Sequence, residues 1–372
     1  MTTPLQKIPP QIAALADYEA FARDRIGPGT WAYINGGAGD EWTLRENVTA
    51  FTRLPLRTRV LRPMQSASTA LNLLGCAMDA PILIAPMAFH GLCHPDGEAA
   101  TALAAGATGT TLVVSTQAGQ SIEQIAQAAP GPLWFQLYIQ PDRTFTERLV
   151  ARAEAAGYRA LVLTVDAPVN GVRNAEARAR FTLPPHIRAV NLEGMIHPAP
   201  GRDGALLFGT PLLESVPVWE DIAWLRTLTR LPILLKGIVD PDDALRALDC
   251  GIDGLIVSNH GGRTLDGVPA AIDLLPAIAE VVDGQVPLLM DGGVRRGTDV
   301  LRALALGANA VLVGRPILHA LATAGALGVA HALRVLRAEF ELAMALTGCR
   351  TLADIDSGCL HQNVRDNPHH RR

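Results

Sequence analysis

The sequence predicts an α/β protein built on a (β/α)8 barrel, the TIM-barrel class. Eight short apolar runs recur along the chain, and each run ends in a polar or glycine-rich turn. The runs are continuous rather than alternating, which is typical of strands buried on both faces of a parallel sheet. Segments of helical length separate them, and eight such βα units favour a closed barrel over an open, doubly wound sheet.

The eight predicted strands follow one another between residues 81 and 314. They cover residues 81–87, 111–115, 133–138, 160–165, 232–236, 254–258, 287–291 and 310–314. The clearest helices between them are at 98–107, 146–156, 241–249 and 298–306. We therefore expect one domain over residues 1–372, with a helical N-terminal extension at 1–80 and the barrel at 81–350. The long connection after strand four, 181–218, is rich in Gly and Pro and predicts a lid loop.

Composition narrows the classes of function. Hydrophobic residues make up 49% of the chain and charged residues 18%, which allows a large core. The net charge of -4 without a long basic run argues against a nucleic-acid partner. The five cysteines form no C-x-x-C pair, so we expect neither a metal site nor a disulfide framework, and a reducing, cytoplasmic compartment is the simplest interpretation. We find neither a secretion signal nor about 18 consecutive uncharged apolar residues, and expect no membrane-spanning helix.

Polar side chains follow the predicted strands at their carboxyl ends, where barrels of this class gather their functional residues. These residues are Gln136, Tyr138, Thr164, Asp166, Lys236, Ser258, His260, Asp291, Gly314 and Arg315. A nearly complete ring of polar groups on one rim predicts a ligand site there.

The last two strand ends predict a phosphate site. The segments DGGVRRG (291–297) and VGRP (313–316) place glycines and arginines just after strands seven and eight. Glycines let backbone N–H groups approach an anion, and the following helix N-terminus adds positive potential. The predicted phosphate ligands are Asp291, Gly292, Gly293, Arg295, Gly314 and Arg315; the alternative is a pair of tight turns with surface arginines.

The segment SNHGGRTLDG (258–267) predicts a catalytic base. His260 lies in a glycine-rich loop beyond a strand end, imidazole suits proton abstraction near neutral pH, and Asp166 is its natural carboxylate partner. Arg263 and Arg173 can grip a substrate carboxylate bidentately. Lys236, at the end of an apolar strand, suits either a Schiff base or a position beside an electron-rich cofactor, and the aldolase alternative stays open.

Several of these motifs carry a family resemblance. SNHGGRTLDGVPA, DGGVRRGTDVLRALALGA, VGRP, WFQLY, LTVDAP and GGAGDEWTLREN occur in family order between about Tyr18 and Gly348. Over this range the chain resembles the FMN-dependent L-2-hydroxy acid oxidases and dehydrogenases, which include glycolate oxidase, lactate oxidase and mandelate dehydrogenase. The resemblance implies that His260 is the base and Asp166 its partner, that Tyr138 binds the substrate hydroxyl, and that Lys236 favours the reduced, anionic flavin.

The resemblance also implies the ligands of substrate and cofactor. Arg173 and Arg263 would bind the substrate carboxylate with help from Tyr33, and Gln117 would face the substrate side chain. FMN contacts would come from Pro86, Met87, Ala88, Ser115, Gln136, Thr164, Lys236 and Ser258, with the phosphate residues named above.

Three positions depart from the family pattern. Gln117 stands where relatives carry tryptophan or a smaller residue, Met87 where threonine is frequent, and Val172 where a second arginine is frequent.

The connection after strand four is short and contains both polar and apolar residues, which favours a soluble oxidase that uses O2, with a quinone or protein acceptor as the alternative. The family usually forms homotetramers. A sugar-phosphate isomerase and a non-catalytic binding barrel are further alternatives.

Overall fold

The protein, in a computed structural model, forms a closed barrel of eight parallel strands. The structure describes residues 4–195, 207, 208, 210, 213 and 215–361. A short antiparallel hairpin, β1 (Leu71–Leu73) and β2 (Cys76–Met78), precedes the barrel. The barrel strands are β3 (Ile82–Ile84), β4 (Leu112–Ser115), β5 (Leu133–Leu137), β6 (Leu161–Thr164), β7 (Ile233–Ile238), β8 (Gly254–Val257), β9 (Leu288–Met290) and β10 (Ala310–Val313). The predicted barrel is confirmed, and the open sheet is excluded.

Helices surround the barrel. They are α1 (Tyr18–Arg23), α2 (Pro28–Asn35), α3 (Trp42–Thr49), α4 (Gly97–Ala107), α5 (Ile122–Ala128), α6 (Arg143–Ala155), α7 (Asn174–Arg178), α8 (Glu220–Leu228), α9 (Pro241–Asp249), α10 (Ala271–Val282), α11 (Gly297–Ala305) and α12 (Arg315–Thr347). Short 3₁₀ helices lie at Leu15–Asp17, Ala50–Arg53, His90–Leu92, Val190–Leu192, Leu352–Asp354 and Ser357–Cys359.

The interior of the barrel is filled by one buried side chain from each strand. They are Leu83, Val113, Trp134, Val162, Leu234, Ile256, Leu289 and Leu312. The β1–β2 hairpin packs against this layer through Leu73, Cys76 and Met78, and the indole N–H of Trp134 donates to Cys76 Sγ at 3.4 Å. The hairpin and this layer therefore fill one end of the barrel with apolar side chains.

Helix α12 corrects one expectation from the sequence. Residues 316–333 contain no Asp, Glu, Lys or Arg, so the expectation that no uncharged stretch of this length exists is wrong. The helix is long and apolar enough to cross a membrane, but 78% of its apolar window is buried inside the fold. It packs against α1, α4 and α11 and changes direction at Ala324 and Gly325, where the backbone is not helical. These contacts are those of a core helix.

The connection after β6 lies only partly within the described residues. Its first part is tethered: Asn191, which is buried, accepts a hydrogen bond from the backbone N–H of Ile122 at 3.0 Å and donates to the Gln120 carbonyl at 3.0 Å. Residues 196–206, 209, 211, 212 and 214 lie outside the described residues. The lid function of 181–218 stays a prediction, as does the absence of an apolar insertion there.

Candidate active site

A cavity of about 930 Å³ opens at the carboxyl ends of the barrel strands. Residues at the ends of all eight strands line it, together with residues of α2 and of the connection after β6. Two of the predicted site residues, Asp166 and Ser258, lie behind its wall. The others line it: Tyr33, Pro86, Met87, Ala88, Ser115, Gln117, Gln136, Tyr138, Thr164, Arg173, Lys236, His260, Arg263, Asp291, Gly292, Gly293, Arg295, Gly314 and Arg315.

The loop after β8 turns His260 towards Asp166. His260 has a φ of 55°, and Gly261 and Gly262 follow with 62° and 72°, so the backbone is left-handed over three successive residues. His260 Nδ1 lies 2.8 Å from Asp166 Oδ1. Burial alone would raise the pKa of Asp166, but the charges of Lys236 and His260 outweigh burial and lower it. Asp166 is therefore ionised and can stabilise an imidazolium.

Lys236 is a buried cation on β7. Its Nζ lies 3.1 Å from Asp291 Oδ2 and donates to Ser258 Oγ at 2.9 Å. Burial lowers the Lys236 pKa, but the carboxylates of Asp291 and Asp166 outweigh burial and raise it. A Schiff base requires a neutral amine, so this environment disfavours the aldolase alternative.

A glycine makes the approach of β7 to Asp166 possible. The register between β7 and β8 shifts between Lys236 and Ile238, and Gly237 lies in the left-handed region with a φ of 112°. A Cβ atom at Gly237 would lie 2.4 Å from Asp166 Cβ. Only glycine therefore allows Lys236 and Asp166 to lie so close together.

Ser258 has different partners from those predicted. The residue is fully buried, and its Oγ accepts hydrogen bonds from Lys236 Nζ at 2.9 Å and from the backbone N–H of His260 at 3.0 Å. Its side chain therefore fixes the lysine and the histidine loop from behind the cavity wall, and it does not line the space predicted for the cofactor.

The guanidinium groups of two arginines, Arg173 and Arg263, line the cavity. Arg263 Nη1 donates to the carbonyls of Tyr33 at 2.7 Å and Gly36 at 2.9 Å. The buried Nε and Nη1 atoms of Arg173 have no hydrogen-bond partner. Burial and the charge of Arg263 lower the pKa of Arg173 to about 10. Two guanidinium groups in one cavity, one of them with buried donors that have no hydrogen-bond partner, are typical of an anion site.

A carboxylate that the sequence analysis missed lies between these arginines. Glu176 Oε1 is 3.3 Å from Arg263 Nη2 and 3.6 Å from Arg173 Nη1, and Glu176 lines the cavity. Its three-residue spacing from Arg173, the residue before α7, was the available signal. Phe181, also missed, stacks on Tyr33 with ring centroids 4.8 Å apart.

Two tyrosines and one amide complete this part of the wall. Burial raises the pKa of Tyr138 to about 12 and raises that of Tyr33 as well, so both hydroxyls keep their protons and can donate. Gln117 is fixed through its backbone: its N–H donates to Ser115 Oγ at 3.1 Å and its carbonyl accepts from the Phe89 N–H at 3.3 Å.

The loops after β9 and β10 have the backbone conformation of an anion site. Gly292 and Gly293 have φ values of 95° and 86°. A Cβ at Gly314 would meet nothing closer than Met87 Sδ at 3.5 Å, so this backbone is open to the cavity. Arg295 is half-buried at the cavity, and this burial lowers its pKa.

Arg315, at the first position of α12, has partners other than the predicted phosphate. Its guanidinium donates to the carbonyls of Ile34, Gly36 and Gly261, each at 3.0 Å. The side chain therefore joins the N-terminal extension to the loop after β8, and a phosphate contact is left to its backbone N–H.

Three buried polar atoms at strand ends have no partner within the protein: Gln136 Nε2, Thr164 Oγ1 and Asp291 Oδ1. Their residues line the cavity beside Lys236. Unsatisfied buried donors and acceptors are rare in native proteins and are explained here by a bound ligand with a polar edge.

A profile of FMN-dependent dehydrogenases matches residues 22–362. The chain belongs to the FMN-dependent dehydrogenase family.

Relatives and solved structures agree with this family. The chain is 46% identical to L-lactate oxidase from Nostoc sp. over 355 residues, covering 93% of this chain and 97% of the relative. It is 45% identical to glycolate oxidase 1 from Zea mays, covering 93% and 94%. A structure of mandelate oxidase with 3,3-difluoro-2-hydroxy-3-phenylpropionic acid superposes with a TM-score of 0.85 at 40% identity, covering 94% of this chain and 99% of the other.

FMN is therefore the cofactor of this FMN-dependent dehydrogenase, and the residues present fit it. The three unpaired polar atoms and the cation of Lys236 lie beside apolar lining residues such as Ala85 and Leu312, which suits the polar edge of a flavin. The glycine loops after β9 and β10, with the half-buried Arg295, suit its phosphate. Within this family, the chain belongs with the 2-hydroxy acid oxidases.

Proposed function

We propose that the protein oxidises an L-2-hydroxy acid, lactate-like or mandelate-like, to the 2-oxo acid with O2 as acceptor and H2O2 as product. The observation that carries the proposal is that His260, which Asp166 holds from behind the wall, lines the same cavity as the guanidinium groups of Arg173 and Arg263. This cavity can hold a carboxylate and remove a proton from the same small molecule. The named activities of the lactate, glycolate and mandelate oxidases support it.

The cavity residues have separate roles in substrate binding and proton transfer. Arg173 and Arg263 bind the substrate carboxylate, which satisfies the unpaired Nε and Nη1 atoms of Arg173. Tyr33 supports this contact, and Tyr138 donates to the substrate hydroxyl. His260 accepts the proton at Nε2, because its Nδ1 faces Asp166, and the ionised Asp166 stabilises the resulting charge.

FMN, when bound, accepts the two electrons of the oxidation. Lys236 places a permanent positive charge beside it, which stabilises negative charge on the reduced ring. Arg295 and the backbone of both glycine loops hold the phosphate. The residues proposed to contact FMN are Pro86, Met87, Ala88, Ser115, Gln136, Thr164, Lys236, Asp291, Gly292, Gly293, Arg295, Gly314 and Arg315, whereas Ser258 acts through Lys236.

The test is a panel of L-2-hydroxy acids with purified holoenzyme. We expect anaerobic bleaching of the flavin absorbance by L-lactate or L-mandelate, and one peroxide per 2-oxo acid under air. Absence of bleaching by every acid in the panel would reject the proposal. Bleaching without oxygen consumption would instead favour the quinone or protein acceptor. Light scattering tests the expected homotetramer.

A further inference from the structure

Glu176 places a negative charge inside an anion-binding site. Its Oε1 atom contacts both Arg263 Nη2, at 3.3 Å, and Arg173 Nη1, at 3.6 Å. Its side chain is 20% exposed and lines the cavity, so the carboxylate is close to the space for the substrate. One of the two positive charges offered by the arginines is thus already compensated before any substrate binds.

The other cations around the cavity are committed elsewhere. Lys236 is paired with Asp291, and Arg315 directs its donors to three backbone carbonyls. Arg295 follows β9, in the loop proposed for the phosphate. Among the described residues lining the cavity, Arg173 and Arg263 are thus the cations available to a substrate, and Asp243 adds a further anion to the lining.

We propose that Glu176 is a specificity-determining residue that restricts the site to substrates with one carboxylate and an uncharged substituent at C2. The inference rests on the proposed function, because it concerns the same arginine pair. A first carboxylate takes the free donors of Arg173. A second carboxylate on the substituent would find no free cation and would be repelled by Glu176.

The size of this repulsion is measurable. Two like charges about 5 Å apart in a partly exposed site change an equilibrium constant by about tenfold or more, after allowance for screening by water. Gln117, which also lines the cavity, is a neutral amide and does not offset this repulsion. We therefore expect kcat/KM to depend more on the charge of the C2 substituent than on its shape.

The experiment compares L-malate with its 4-amide, L-malamate, which has the same shape without the second charge. For the wild-type holoenzyme we expect kcat/KM to be about tenfold or more higher for malamate than for malate. Glu176→Gln should reduce this ratio at least several-fold, mainly through KM for malate. Glu176→Asp, which keeps the charge, should retain most of the preference.

Glu193→Gln is the matched control. Glu193 forms an ion pair with Arg188 at 3.4 Å on the protein surface and does not line the cavity, so its removal should leave the ratio unchanged. An unchanged ratio in Glu176→Gln, or equal use of malate and malamate by the wild type, would overturn the inference.

A binding measurement covers the case in which Glu176→Gln does not fold. Succinate and succinamate differ only in the second charge, and each should perturb the flavin spectrum of the wild-type holoenzyme on binding. We expect succinamate to bind more tightly; equal affinity overturns the role of Glu176. Failure of the proposed function looks different, because then no 2-hydroxy acid bleaches the flavin, whatever its charge.

Discussion

His260 Nδ1 lies 2.8 Å from Asp166 Oδ1, and this contact joins loops whose residues are 94 positions apart in the chain. Asp166 lies behind the cavity wall, whereas His260 lines the cavity. The carboxylate therefore fixes the ring through one nitrogen and leaves the other for the substrate. This division explains why a residue without access to the substrate is expected to matter for the rate.

Asp166→Asn tests this relationship. An amide can still form a hydrogen bond but cannot stabilise an imidazolium, so we expect the rate of anaerobic flavin reduction to fall about 100-fold or more, with a smaller change in KM. Stopped-flow absorbance measures the rate. Asp249→Asn, at an exposed position on α9, is the control. A rate within a factor of about three of wild type would argue against the pairing.

Arg173→Lys tests the carboxylate site. A lysine keeps the charge but loses the planar pair of donors, so we expect KM to rise about tenfold with a smaller effect on kcat. Steady-state oxygen consumption gives both constants. Arg178→Lys, at the exposed last position of α7, should change neither. A fall in kcat alone would mean that Arg173 does not bind the substrate ground state.

Gln117→Trp tests the place of the substrate side chain. The larger ring would fill part of the cavity that Gln117 lines, so a bulky substrate should lose more than a small one. We expect kcat/KM for L-mandelate to fall relative to that for glycolate by about tenfold. Gln117→Asn, which leaves more space, should shift the ratio slightly in the other direction. An equal loss for both acids would show that Gln117 lies away from the side chain.

The lowered pKa of His319 predicts that the free energy of unfolding depends on pH. Burial, followed by the charges of Arg295 and Arg315, lowers its pKa to about 3. The neutral ring stacks on Trp31 with centroids 5.4 Å apart, and its Nε2 lies 2.8 Å from Asn35 Oδ1. As the pH falls below 6.5, the unfolded state binds the proton first, so stability is lost between pH 6.5 and about 3.

His319→Gln should remove this part of the pH dependence. Gln keeps a donor for Asn35 but does not titrate, so we expect the free energy of unfolding to fall less between pH 7 and pH 5 in the variant than in the wild type. Urea unfolding of the two proteins at both values is the measurement. Parallel pH dependences would mean that His319 is not the titrating group.

The strand ends were predictable because a parallel barrel brings all of them to one rim. Buried strands are short, continuous apolar runs, and polar residues at or just after the end of these runs gather around the cavity, as Lys236 and His260 do. Exact strand lengths were less predictable. The first barrel strand ends at Ile84 rather than at Met87, since Pro86 lacks a backbone donor.

Pairings between distant loops were not predictable from spacing. Glu176 is three residues from Arg173, which suggests a local ion pair, but its contact with Arg263 exists only because the loops after β6 and β8 meet. The sequence pattern predicts that the side chain of Arg315 binds phosphate. Instead, its guanidinium donates to the carbonyls of Ile34 and Gly36, because the C-terminal end of α2 lies beside it in the fold.

The sequence by itself determined the barrel, the family and the set of chemical groups around the cavity, because buried strands and glycine loops leave a local pattern. The tertiary structure decided which polar side chains pair with one another: Lys236 with Asp291, His260 with Asp166, and Glu176 with both arginines. Electrostatic energy depends on distances of a few ångströms between residues far apart in the chain, and the fold alone fixes those distances.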